Sequence, residues 1–256
     1  MTASRVWLWL MLGVVLVPMI ATLVVATSVS FIAGPYTGGF TLDWMGLGFR
    51  LLSPTLLHSA TVGVAVAVIN LVVGGPLAWW SSRSSSFTAR AVGYLATVPL
   101  AVPGIAISVA LIGTYAELRP SGLLLLIGHV VFTLPFTLAA LVPVLASDRL
   151  DECEQVALSL GASRVRQVLT ITIPWCLVAI VQAAAMSYAL SYGEFNISFF
   201  VNAPANPTAP FALFDAYQTR RLELASAMSV WFIVSLLPVF AVLVALRARM
   251  HERSLS

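Results

Sequence analysis

Long apolar segments separated by short polar ones limit the fold of this sequence more than any other feature. Residues 6–42 carry no charged side chain, and their apolar part, 7–32, exceeds the roughly 20 residues that a helix needs to cross a bilayer. A signal peptide has an apolar region of only about 7 to 15 residues, so we expect 7–32 to be an uncleaved first span. Charged residues make up only 9% of the chain, which leaves no stretch for a sizeable soluble domain.

Six apolar segments are present, and we predict an all-α polytopic membrane protein that forms a single domain over residues 1–256. The predicted spans are 7–32, 54–80, 91–114, 121–146, 174–201 and 224–246. Nine Arg residues flank one side of these spans and four flank the other. The positive-inside rule therefore predicts that both termini lie in the cytoplasm.

The most polar stretch, residues 147–173, lies between the fourth and fifth predicted spans. We expect Asp148 to cap a helix whose first turn carries Asp151 and Glu152, because carboxylates favour the positive end of the helix dipole. Helical spacing predicts an apolar stripe at Leu150, Cys153, Ala157 and Leu160. Glu152 and Glu154 are then expected to face away from that stripe.

A glycine turn is predicted in the middle of this stretch. Gly161 can end the first helix because glycine tolerates the left-handed conformation of a helix C-terminus. Ser163 can cap a second short helix that leads to Pro174. The predicted order is helix, turn, helix and then the fifth span.

These residues resemble the EAA loop of type I ATP-binding-cassette (ABC) importer permeases. The resemblance covers Glu154 to Ala157, then Leu160 to Ser163, then Ile171, Ile173 and Pro174. The spacing from Gly161 to Pro174 matches in full, whereas Gln155 stands where the family usually has glutamate.

Other segments, in the family's order, extend the resemblance over most of the chain. They are Gly74 to Ala78, Pro99 to Gly104 and Gly193 to Phe195. The stretch 194–200 is most similar to the branch that serves polyamines, ferric iron, thiamine and phosphonates.

The resemblance implies a multi-pass protein of the bacterial plasma (inner) membrane with a six-span permease fold. In that fold residues 147–173, here named the coupling loop, form a cytoplasmic coupling helix. It also implies partners: a dimer of cytoplasmic ATPases, a second permease subunit (another copy or a related chain), and an extracytoplasmic solute-binding protein. ATP and magnesium would bind to the ATPase, with no cofactor on this chain. The implied ATPase-coupling residues are Glu154, Gln155, Ala157, Leu160, Gly161, Ala162, Ser163 and Pro174.

Glu194 is the most informative residue inside a predicted span. A carboxylate there costs at least a few kcal/mol unless it faces water, protein or a partner charge. It therefore lines either a translocation pathway or a packed interface between subunits. On a helical fifth span it shares a polar face with Ser187, Ser191 and Ser198. The candidate pathway residues are Ser187, Tyr188, Ser191, Tyr192, Glu194 and Ser198.

A carboxylate beside tyrosine rings favours a passing cation. The expected solute is therefore a small amine-bearing or charged compound of the polyamine, thiamine, aminophosphonate or ferric iron class. His129, in the fourth span, is expected to be a hydrogen-bonded packing residue.

Motifs that carry catalysis are missing from the sequence. It contains no Gly-x-x-x-x-Gly-Lys, no His-Glu-x-x-His and no Gly-x-Ser-x-Gly. Cys153 and Cys176 imply neither a disulfide nor a metal site, and dispersed Arg residues argue against nucleic-acid binding. We therefore predict a non-catalytic transport subunit in contact with lipid. The alternative is an ion-coupled secondary transporter or channel that uses Glu194.

Overall fold

The computed structural model describes residues 2–84, 86–203 and 205–255, so the two ends of the predicted domain, Met1 and Ser256, lie outside the described residues. Within those ranges the secondary structure is helical apart from one isolated β-bridge between Ser28 and Phe40. The predicted all-α fold is confirmed. The helices are α1 Thr2–Ala26, α2 Asp43–Arg83, α3 Phe87–Thr97, α4 Gly104–Tyr115, α5 Leu123–Leu145, α6 Asp148–Ser159, α7 Arg164–Gln167, α8 Ile173–Tyr192, α9 Asn196–Val201, α10 Ala209–Thr219 and α11 Leu222–Leu255.

Five helical segments of the described chain are long and apolar enough to cross a membrane. They are Arg5–Ala26, Asp43–Arg83, Leu123–Leu145, Arg164–Tyr192 and Leu222–Ala241. A further apolar helical segment, Gly104–Leu118, is shorter. The structure thus supports a polytopic membrane protein with five long spans, and the predicted third span is not a single long helix.

The predicted third span, 91–114, is two helices. α3 ends at Thr97, a 3-10 turn follows over Val98–Leu100, and α4 begins only at Gly104. Pro103 adopts extended backbone, with φ −56° and ψ 137°. A proline has no N–H to donate and also disfavours helical backbone in the residue before it, so the chain breaks here instead of kinking.

Two helix boundaries near the start of the chain differ from the prediction. The first helix ends at Ala26 instead of residue 32, because the Thr27 and Ser28 hydroxyls donate to the carbonyls of Leu23 and Val24, each at 2.8 Å. Such local bonds compete with continuation of a helix. The second helix begins at Asp43, eleven residues before the predicted start at residue 54.

The described residues divide into two compact units, within the bounds Met1–His58 with Pro207–Leu237, and Ser59–Asn206 with Pro238–Ser256. The first unit packs α10 and the start of α11 against the start of α2. Its buried core consists of Leu52, Ala209, Ala216, Leu224, Ala225 and Met228. The loop between α1 and α2 is fixed to this unit by Glu223, whose carboxylate accepts the Phe31 N–H at 2.7 Å.

Glu223→Ala is expected to lower the stability of the first unit. It leaves the Phe31 N–H without its acceptor and removes an ion pair with Arg221 at 3.3 Å, a loss of about 1–3 kcal/mol. This loss of stability is measured as a lower melting temperature of the purified chain in detergent. Asp215→Ala is the matched control because Asp215 is exposed on α10. Equal melting temperatures for the two variants would contradict the role given to Glu223.

The second unit is built around the packing of α5 on α8 and on the C-terminal half of α2. Its main core contains Ala78, Leu138, Leu141, Leu145, Leu150, Cys176, Ala179 and Ala183. Gly74 permits a close approach of α2 to α5, since an added Cβ would lie 2.9 Å from Leu134 Cδ1 and 3.1 Å from Thr137 Cγ2. A second cluster joins α9 to the start of α5 through Leu124, Leu125, Ile197 and Val201.

Candidate functional site

The coupling loop begins with α6, and its first residues differ from the prediction by one position. Ser147 occupies the N-cap position, with extended backbone, and Asp148 is the first helical residue. The Ser147 side chain makes no capping hydrogen bond. Asp148 and Asp151 still lie in the first turn, where a carboxylate is favourable.

The predicted apolar stripe of α6 is wrong. Leu150 is buried, but Cys153 is exposed and Leu160 is 83% exposed, whereas Glu154 is only 4% exposed. The buried face of α6 therefore carries a carboxylate. Sequence spacing could not reveal this, because the residue that neutralises Glu154 is Arg83, at the end of another helix.

Glu154 is held entirely by groups of this chain. Its Oε2 lies 2.8 Å from Arg83 Nη2, and its Oε1 accepts a hydrogen bond from the Thr172 hydroxyl at 2.6 Å. Arg83 also forms an ion pair with Asp151. Asp151 in turn accepts a hydrogen bond from the Gln155 amide at 2.6 Å. We name Arg83, Asp151, Glu154 and Thr172 the charge cluster.

The predicted glycine turn is present. Gly161 has φ +85°, its N–H donates to the Leu158 carbonyl, and the Ala162 N–H donates to the Ala157 carbonyl, each at 3.0 Å. These two bonds form a Schellman motif, which satisfies carbonyls at the end of a helix. Leu160, Gly161 and Ser163 are exposed. The turn is therefore fixed in shape and open to contact.

The chain after this turn departs from the predicted short helix. Ser163 caps α7 as expected and accepts the Arg166 N–H at 3.3 Å. The helix does not end before Pro174 but continues through a π-helical turn, Val168–Thr172, into α8. Pro174 has no N–H to donate, and the Ile173 N–H bonds to the Val168 carbonyl five residues earlier.

The predicted fifth span, 174–201, is broken at Gly193, where α8 has ended and α9 has not begun. Glu194 lies in the break, one residue before Phe195, the N-cap residue of α9, and its side chain caps the first turn of that helix. Its Oε2 accepts the N–H groups of Ile197 at 2.7 Å and Ser198 at 3.2 Å. A side chain that satisfies two backbone donors in this way stabilises a separate helix start, so the carboxylate itself helps to make the break.

His129 lies against this break and is fully buried in α5. Its Nδ1 is 2.8 Å from the Ser191 hydroxyl and its Nε2 is 3.1 Å from the Ser198 hydroxyl. The Glu194 carboxylate is 4.0 Å from Nε2. His129 thus joins the end of α8 to α9, as the hydrogen-bonded packing residue that was expected.

A second group of polar side chains lies along the same face of α8. Ser187 accepts a hydrogen bond from Asn70 Nδ2 at 3.2 Å and contacts the Thr137 hydroxyl at 2.9 Å. Asn70 also donates to Thr133 at 2.6 Å. Asn70 was not among the candidates, although an amide in the middle of an apolar span is a signal that sequence reading could have used.

The structure brings most of the candidate pathway residues together. Ser187, Ser191, Tyr192, Glu194 and Ser198 are all buried, while Tyr188 is half-buried with its ring stacked on that of Tyr192 at 5.7 Å. The predicted polar face exists despite the break in the helix. In this conformation it contacts α2 and α5 of the same chain, and its role in a pathway stays a prediction.

Curated relatives of this chain are transport permeases. No family model matches the chain. The chain is 26% identical over 205 residues to PhnV of Salmonella paratyphi A, a permease protein named for 2-aminoethylphosphonate transport. The match covers 77% of this chain and 76% of PhnV. It is 27% identical to the spermidine/putrescine permease PotC of Haemophilus influenzae, over 77% of each chain.

A third relative has higher identity. The chain is 30% identical over 169 residues to the molybdenum transport system permease protein ModB of Azotobacter vinelandii, a match that covers 58% of this chain and 73% of ModB. The chain belongs to the ABC importer permease family. The predicted resemblance is confirmed, including the branch that PhnV and PotC represent, but ModB is named for a different solute.

A solved structure supports the permease fold. The chain matches the crystal structure of a bacterial ABC transporter involved in the import of the acidic polysaccharide alginate, with a TM-score of 0.73 and 14% identity. The match covers 96% of this chain and 95% of that chain. The named relatives and the long apolar helices together support a multi-pass inner-membrane protein.

Proposed function

We propose that this chain is the transmembrane subunit of an ATP-driven, binding-protein-dependent importer and that it forms one half of the solute pathway. It acts as a single domain over residues 1–256, with both termini and the coupling loop in the cytoplasm. A second permease subunit, either another copy or a related chain, completes the pathway. An ATPase dimer binds ATP and magnesium, no cofactor binds to this chain, and a solute-binding protein delivers the solute from outside.

The observation that carries this proposal is the exposed turn from Leu160 to Ser163. Leu160 is 83% exposed, and a Cβ added at Gly161 would meet no atom within 4 Å. A rigid turn with an exposed apolar residue at its tip is suited to insertion into a groove of a partner. The resemblance of the same residues to the EAA loop supports the ATPase as that partner.

The solute that we propose is a small charged compound, most simply one that bears an amine. PhnV is named for 2-aminoethylphosphonate and PotC for spermidine and putrescine, and all three compounds carry ammonium groups. The Glu194 carboxylate now supports this less directly, because it accepts two backbone N–H groups inside the protein. The solute class therefore depends chiefly on the relatives.

Reconstitution in liposomes tests the proposal. We expect the chain to co-purify with its ATPase and to accumulate solute only when ATP and the solute-binding protein are supplied. The chain alone, given a proton or sodium gradient, is expected to show no uptake. Gradient-driven accumulation that disappears in Glu194→Gln would contradict the proposal and support a secondary transporter.

The same complex identifies the solute class. ATP hydrolysis is measured with spermidine, 2-aminoethylphosphonate, molybdate and a neutral sugar, each at the same concentration. We expect stimulation by one of the two amines. Stimulation by molybdate alone would agree with an ATP-driven importer but exclude an amine as its solute. Stimulation by sugar alone would exclude a charged solute.

A further inference from the structure

We infer that Arg83 is a positioning residue that fastens the coupling helix α6 to the ends of α2 and α8, so that both spans follow α6 when an ATPase displaces it. The inference rests on the proposed function, because it describes how that function passes motion into the membrane. It concerns contacts inside this chain, which the resemblance to permeases does not specify.

Three elements meet at the Glu154 carboxylate. Arg83, the last residue of α2, lies 2.8 Å from one of its oxygens, and Thr172, in the π-helical turn before α8, donates to the other at 2.6 Å. Asp151, one turn earlier on α6, forms an ion pair with the same guanidinium. A single carboxylate on α6 therefore binds both neighbouring spans.

Burial makes this connection difficult to break. The side chains of Arg83 and Glu154 are 20% and 6% exposed. Separating them without access to water would leave a buried carboxylate without a counter-charge, and breaking a buried pair from one side is strongly unfavourable. Movement of α6 as a body with α2 and α8 keeps the pair intact.

The charge cluster also divides the coupling loop into two faces. Both oxygens of Glu154, one of the implied ATPase-coupling residues, are already engaged within the chain, so this carboxylate is not available to pair with a basic residue of a partner. The exposed turn, from Leu160 to Ser163, is therefore the part of the loop that contacts the ATPase. The exposed face of the loop is displaced by the ATPase. The buried face, which carries the charge cluster and is here named the transmitting face, passes that displacement to α2 and α8.

A half-open apolar groove lies beside the transmitting face. It has a volume of about 440 Å³ and is lined by Val168, Thr172 and Ile173, together with residues of α2, α5 and α8. The π-helical turn is therefore not close-packed on that side. A displacement that reaches Thr172 through Glu154 can be accommodated there without overpacking the core.

A distance measurement tests the connection without knowledge of the solute. Spin labels are placed on Cys153, which is exposed on α6, and on Ser82→Cys, near the end of α2, in a Cys176→Ala background. In the otherwise unaltered complex with its ATPase, we expect one narrow distance distribution, the same without nucleotide and with ADP trapped by vanadate after ATP hydrolysis. In Arg83→Gln we expect that distribution to broaden or shift in the vanadate-trapped state.

Transport provides the second measurement. Uptake per ATP hydrolysed is expected to fall about fivefold in Arg83→Gln, a size typical of altered coupling between sites, whereas basal ATP hydrolysis stays within twofold. The solutes offered in this uptake measurement are spermidine, 2-aminoethylphosphonate and molybdate. Arg149→Gln is the matched control, because it removes the same charge from an exposed position on α6. Arg83→Lys should recover part of the loss, since it restores the charge without the two-pronged geometry.

A variant that removes both charges controls for a loss of uptake that is caused by misfolding. If Arg83→Gln lowers abundance, Arg83→Met with Glu154→Met is expected to restore abundance, because apolar residues often replace a buried ion pair without loss of stability. The narrow distance distribution should still be lost. An unchanged distribution in Arg83→Gln, with uptake within twofold of Arg149→Gln, would overturn the inference. Failure of the unaltered chain to co-purify with the ATPase would instead overturn the proposed function.

Discussion

Gly161→Val is expected to abolish most ATP-dependent uptake while the protein remains in the membrane. Gly161 has φ +85°, a conformation that is strongly unfavourable for a β-branched residue. A cost of about 1–3 kcal/mol distorts the turn and lowers productive contact with the ATPase about tenfold to a hundredfold. Uptake into membrane vesicles, normalised to the amount of permease, measures the effect.

Gly161→Asn is the matched control for this variant. A Cβ at Gly161 meets no atom within 4 Å, so both substitutions fit the available space and differ mainly in backbone preference. Asparagine tolerates the left-handed conformation, and we expect it to retain most of the uptake. Equal uptake by the Val and Asn variants would show that the conformation of the turn does not matter for coupling.

His129→Leu is expected to have the largest effect on stability. The substitution leaves the buried Ser191 hydroxyl without its ring partner, at a cost of about 1–3 kcal/mol. The Ser198 hydroxyl still donates to the Glu194 carbonyl at 2.8 Å, so it loses only its bond to the ring, worth about 0.5–1.5 kcal/mol. α9 would then lose its hydrogen bond to α5 and keep only the apolar contacts of Ile197 and Val201 with that helix. Thermal unfolding in detergent and the yield of monodisperse complex report the loss.

His129→Asn distinguishes hydrogen bonding from simple packing. An amide offers one donor and one acceptor, as a neutral imidazole does, so Asn is expected to recover part of the stability that Leu loses. Leucine, in contrast, better replaces the volume of the ring. A melting temperature for the Leu variant that equals or exceeds that of the Asn variant would contradict the role of the two serine contacts.

Local signals in the sequence predicted the turn of the coupling loop. Gly161 and Ser163 lie at the positions that a left-handed helix end and a following helix cap require, and both features involve residues no more than a few positions apart. The polar face of Ser187, Ser191, Glu194 and Ser198 was also recognisable from spacing alone. The residues that contact this face could not be recognised from the sequence, although His129 was expected to be hydrogen-bonded.

Features that depend on distant residues could not be predicted. The buried orientation of Glu154 follows from Arg83, which is 71 positions away in the sequence and was read only as a flanking charge. The break of the fifth span follows from the capping bonds of Glu194, whereas helical periodicity continues through it. Prolines 99 and 103 marked the third span, but their presence alone does not distinguish a kink from the complete separation of α3 and α4.

The division of the chain into two units has a consequence for biosynthesis. The first unit draws on both the beginning and the later part of the sequence, since the Phe31 N–H binds a carboxylate 192 residues further on. Most of the second unit, through Asn206, is synthesised before any of 207–237. The loop after the first helix therefore cannot reach its final conformation until α11 has been synthesised. Contacts of such long sequence separation form late in folding. A ribosome that stalls before Glu223 leaves the second unit largely complete and the first one open.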